Sequence, residues 1–94
     1  MQRYDCAHIR EQEVDLIIIP LDSSFGRKTR EDQTQVIAIL QMHANEDGLA
    51  GTVVPVWDAG GGRMAFIAPQ QWHPFLANIN GPWLAQNMNR WIAW

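Results

Sequence analysis

The run Leu16-Ile17-Ile18-Ile19 constrains this chain more than any other stretch. It lies inside Val14 to Leu21, is rich in β-branched residues, and is apolar at every position. A strand built from it is apolar on both faces. Such a strand belongs inside a sheet covered on both sides, or in one shared with a partner. Pro20 has no N–H to donate, so pairing is expected to fade there.

Around this strand the chain has 94 residues, enough for one domain, 1–94, and too few for two cores. Apolar residues make up 47%, which is the composition of a globular chain and not of a disordered one. The longest uninterrupted apolar runs, Val36 to Leu40 and Met64 to Ala68, fall far short of the roughly 18 residues that a membrane span requires, so no membrane partner is expected. Met1-Gln2-Arg3-Tyr4-Asp5-Cys6 has no apolar run of signal-peptide length. A lone cysteine, Cys6, suits a reducing compartment, and the expected location is the cytoplasm. Lys28 is the single lysine, and the basic cluster Arg27-Lys28-Arg30 runs straight into Glu31 and Asp32 in a chain of net charge −3. Nucleic-acid binding draws on a concentrated positive surface, so no nucleic-acid partner is expected.

Residues 1–12 are ambiguous. Tyr4, Cys6 and His8 alternate with Asp5 and Ala7, a weak strand pattern, and Arg10-Glu11-Gln12-Glu13 reads as a turn or solvated link. Asp22 to Lys28 is a loop. Thr29 is a helix N-cap with acids in the turn that follows, and the helix runs to about Asp47 with Val36, Ile37, Leu40 and Ala44 as its buried stripe. Gly48 and Leu49 suit a Schellman-type stop. Thr52 to Asp58 and Arg63 to Ala68 form a hairpin around Ala59-Gly60-Gly61-Gly62, and Pro55 marks the first of them as an edge strand or a bulge. A short helical piece follows Pro74, and the residues from Gly81 to Trp94 read as an amphipathic terminal helix.

The order strand-helix-strand-strand-helix predicts an α+β two-layer sandwich, with helices packed on one face of a small three- or four-stranded sheet. Leu16, Ile18, Val36, Leu40 and Phe66 are its expected core. The other face of the doubly apolar strand would be covered by a second subunit.

No segment matches a kinase, hydrolase, nucleotide-binding, zinc or RNA-binding pattern. Gly26-Arg27-Lys28-Thr29 lacks the spacing of a phosphate loop, although a helix start flanked by Arg27 and Lys28 could take an anion. Gly60-Gly61-Gly62-Arg63 reads as a hairpin tip that presents Asp58 and Arg63. His8, His43 and His73 have no zinc-site spacing, and neither a metal nor a cofactor is expected. His43 is accounted for by its place near a helix C-terminus. His73, in a loop, is the histidine with the strongest functional claim.

Two functional expectations follow. In the leading one, the protein is not an enzyme but self-associates, as a dimer, or binds a protein. It does so through a second stripe of the terminal helix, Trp83, Asn87, Arg90 and Trp94, left over once Leu84, Met88, Trp91 and Ile92 dock on the sheet. In the alternative, a small ligand or substrate sits between the Asp22 loop and the hairpin. Asp22, Ser23, Trp57, Arg63, Trp72 and His73 would line that pocket, with Trp57 and Trp72 as one wall.

Overall fold

The structure is a computed structural model that describes residues 2–94; Met1 lies outside them. It is a small α+β fold built on a five-stranded mixed sheet with three α-helices. The strands are β1 (Arg3–Glu11), β2 (Val14–Leu21), β3 (Thr52–Asp58), β4 (Met64–Phe66) and β5 (Arg90–Ala93), in the order β4-β3-β2-β1-β5. Only β2 and β3 run parallel. The helices are α1 (Arg30–Glu46), α2 (His73–Leu76) and α3 (Gly81–Asn87).

The doubly apolar strand is central, as its composition requires. Ile17 and Ile19 point to one face, where they meet Leu40 and Ala44 of α1 together with Cys6, Val53 and Ile92. Leu16 and Ile18 point to the other, where they meet Trp72, Leu76, Ile79 and Leu84. The chain's own α2 and α3 therefore cover the second face. This corrects both the two-layer sandwich with helices on one face and the second subunit expected to take their place. Val36 and Phe66, expected in the central core, are half-buried at its margins, while Leu16, Ile18 and Leu40 are fully buried.

Of the two further strands, the first is only a weak alternation in the sequence and the last reads as helix. The ambiguous first segment is β1, joined to β2 by the two-residue turn Gln12-Glu13 with φ of 50° and 65°. Hairpin turns with positive φ at both positions are normally signalled by Asn-Gly or Asp-Gly, and neither is present. The terminal helix stops at Asn87; Met88 is extended (φ −66°, ψ 116°), and Arg90–Ala93 pairs antiparallel with Arg3–Cys6. The arrangement of Leu84, Met88, Trp91 and Ile92 as one helical face is thus overturned.

The prolines act by direction. Pro20 turns its missing N–H toward β1, so the β1–β2 register ends at Ala7–Ile18 while the β2–β3 register continues to Leu21–Trp57. Pro55 lies in an interior strand, not at an edge. Its carbonyl accepts from the Ile67 N–H at 3.2 Å, no reciprocal bond is possible, and β4 has already ended at Phe66. Helix α1 starts and stops as its sequence implies. Thr29 accepts from the Asp32 N–H at 3.1 Å, and at the far end Leu49 N–H reaches Ala44 O (2.9 Å) while Gly48, at φ 84°, reaches Asn45 O (3.0 Å).

Candidate functional site

Parallel pairing of β2 with β3 brings two carboxyl-terminal strand ends side by side. Beyond such ends, loops from adjacent strands diverge and leave a crevice. Here β2 leads into a 3₁₀ turn over Ser23–Arg27, and β3 leads into the glycine-rich hairpin tip. Between them lies a cleft of about 460 Å³ lined by Ser23, Gly26, Arg27, Trp57, Asp58, Ala59 and Gly60.

Both rims are held from within. Asp22 caps the 3₁₀ turn: its carboxylate accepts from the Ser24 N–H at 2.8 Å, and this bond holds its pKa below the ordinary carboxylate value, with a hydrogen bond from the Ser24 side chain adding to it. Phe25 anchors the turn in the core, with its carbonyl accepting from Gln33 Nε2 at 3.0 Å. At the tip, Asp58 accepts from Gly60 N–H at 2.8 Å and Ala59 N–H donates to Arg63 O at 2.8 Å. Gly60, Gly61 and Gly62 all have positive φ (102°, 63° and 77°), a path that other residues take only with strain.

Trp57 is the wall. Its half-buried indole meets Phe25 edge-on, centroids 5.1 Å apart, and closes over Gly26 so tightly that a Cβ there would overlap the indole nitrogen. On its other side a second cleft of about 290 Å³ opens, lined by Arg30, Gln33, Thr34, Ile37 and Ile67. Arg27, Lys28 and Arg30 therefore stand around one end of the sheet, with Asp58 as the carboxylate in the main cleft.

Of the sequence-predicted pocket, Ser23 and Trp57 meet in the cleft. Asp22 faces a neighbouring hollow with Tyr4, Ser24 and Lys28. Arg63 is exposed and is not part of the lining. Trp72 is buried against α2 and α3 on the opposite face of the sheet, so it cannot share a wall with Trp57. His73 lies on that opposite side too, with Nε2 bonded to Ala68 O at 3.0 Å and its ring edge-on to Phe66. The sequence places a pocket between the Asp22–Lys28 loop and the hairpin but does not put Arg27 and Asp58 in its lining. Their meeting follows from the parallel register, which no local signal encodes.

Trp83, Asn87, Arg90 and Trp94 do not make one helical stripe, because α3 ends at Asn87 and Arg90 lies on β5. Trp83 packs edge-on against Phe75, Asn87 donates to the Trp83 carbonyl at 2.7 Å, and Trp94 stacks on His43 at 4.0 Å and on Tyr4 at 5.4 Å. Arg90 is exposed on β5.

The cleft offers a guanidinium, a carboxylate, a hydroxyl and an aromatic wall with an indole N–H. No histidine or cysteine lines it. Cys6 is buried, and His8 hydrogen-bonds Ala50 O beside the start of β3. Among the described residues no cluster of three or more His, Cys, Asp or Glu could hold a metal ion, and no helix is long and apolar enough to cross a membrane. In comparisons with known protein families, curated proteins and solved structures, the chain matches none.

Proposed function

We propose that this chain is a binding domain for a small planar organic anion, held in the cleft at the carboxyl ends of β2 and β3. What supports this reading above all is the Trp57 indole, which stands half-exposed between two clefts with Arg27 and Asp58 beside it. A flat ring stacks on Trp57, its carboxylate or phosphate takes the Arg27 guanidinium, and a donor on the ligand meets the free oxygen of Asp58. The cleft volume, about 460 Å³, falls in the range of small-molecule sites.

The test is a titration with aromatic carboxylates and mononucleotides, with inorganic phosphate as the control for charge alone. The Trp57 Nε1–H resonance reports binding directly. The expected result is a saturable shift of that resonance, with affinity weakened roughly ten-fold or more in Arg27→Ala through loss of a charge-assisted hydrogen bond. Gly26→Ala, which forces the indole out of its seat, abolishes the shift while the fold persists. A Trp57 resonance unmoved by every one of these compounds at millimolar concentration overturns the reading.

A further inference from the structure

The sheet has an open edge at β5. Gln2 and Trp94 exchange both backbone hydrogen bonds, at 2.8 and 3.1 Å. Alternation along the ladder then turns the N–H and C=O of Ile92 toward β1 and those of Trp91 and Ala93 away from it. Among the described residues nothing bonds these outward groups. The sheet face beside them is also bare, because α3 ends at Asn87. Trp91 is 54% exposed there, with the Arg3 guanidinium 4.7 Å from its ring centroid. An open edge of this kind is a template for another strand.

We propose that two copies of this chain pair through β5, antiparallel, about a two-fold axis at Ile92, to make one continuous ten-stranded sheet. The segment Arg90-Trp91-Ile92-Ala93-Trp94 is complementary to itself in this register and in no neighbouring one. Trp91 and the partner's Ala93 exchange both backbone hydrogen bonds, which uses every outward N–H and C=O of the strand. On the bare face the large Trp91 ring lies over the small partner's Ala93. On the face shared with α1, Arg90 lies beside the partner's Trp94, a cation against an aromatic ring. A register centred on Trp91 sets that ring against its own copy and places Arg90 opposite the partner's Ile92. A register centred on Ala93 sets that residue against its own copy and takes Arg90 away from the partner's Trp94 and Trp91 away from the partner's Ala93. A second copy is the occupant because the edge is its own complement, as a two-fold interface demands. The pairing is independent of the cleft, which lies beyond β2 and β3.

Sedimentation equilibrium over a concentration series, with amide exchange read at each concentration, tests this. The wild type is expected at about 21 kDa, twice the 10.7 kDa of one chain, at high concentration. Trp91 and Ala93 amides become protected as the dimer fills, while those of the remaining β strands do not change. Trp91→Glu and Ala93→Pro leave the β1–β5 ladder its own bonds and are expected to sediment as folded monomers. A wild type that is monomeric throughout overturns the proposal. So does a dimer that survives both variants, which would lie elsewhere. If Ala93→Pro does not fold, the wild-type exchange decides, since a dimer without protection at Trp91 and Ala93 is not this one.

Discussion

Cys6 sits in β1 with its side chain under α1, fully buried beside Ile17, Ile19 and Ile92. Burial pushes its thiol up to about 11 from an ordinary 9.0, Asp5 adds to the shift, and Arg90 partly offsets it. The folded state thus keeps the proton longer than the unfolded state. The resulting stability is fully present below the unfolded value and is lost as pH rises through the folded one. Stability to denaturant is expected to decline between pH 9 and 11 by up to about 3 kcal/mol more in the wild type than in Cys6→Ala. Equal pH profiles for the two proteins would remove Cys6 from this account. The same residue shows where reading a sequence stops: a lone cysteine in a weakly alternating segment gives no sign of lying in a core. Trp57 and Trp72 make the same point, since only the fold sends one to each face of the sheet.

The junction between α3 and β5 is the element whose form the sequence concealed. Residues 81–94 carry apolar side chains at helical spacing, while the closing run Trp91-Ile92-Ala93-Trp94 is apolar throughout and suits a strand as well. Tertiary pairing decides between the two forms, because β1 presents unpaired backbone groups that a strand satisfies and a helix does not. Asn89 completes the edge: its side-chain amide accepts from His8 N–H at 2.8 Å and donates to His8 O at 2.9 Å, taking the place of one more ladder residue. Asn89→Ala is expected to cost about 1 kcal/mol, measured by chemical denaturation, because it strands both His8 groups at a partly solvated position. Amide exchange should quicken at His8 and little elsewhere. By contrast α1 was legible at both ends, since a capping Thr29 and the Gly48–Leu49 stop act through hydrogen bonds a few residues away.

At the scale of the whole molecule, one strand organises two cores. β2 divides its isoleucines and leucine between an α1 layer and a layer of α2 and α3, so the molecule has helices on both faces of its sheet. Leu40 is the largest buried α1 side chain in the first of these, 1% exposed. Leu40→Ala is expected to cost about 2–5 kcal/mol through lost burial and the cavity left behind, read as a lowered thermal midpoint. In a domain of this size that is a large share of total stability. An unchanged midpoint would mean that α1 contributes little to holding the sheet.

By itself the sequence determined what depends on near neighbours and on period. The doubly apolar strand Leu16 to Ile19 belongs at the centre of a covered sheet, Thr29 and Gly48 bound a helix, and three glycines make a hairpin tip. It also pointed to a pocket between the Asp22 loop and the hairpin, with Ser23 and Trp57 in its lining. Only the tertiary structure decided which strands are neighbours, and those neighbours lie far apart in the chain: β1 beside β5, and β2 parallel to β3. Strand pairing is made of backbone hydrogen bonds that every residue but proline can offer, so side chains carry little record of it. The cover on the second face, the fate of the terminal tryptophans and the meeting of Arg27, Trp57 and Asp58 all follow from that pairing.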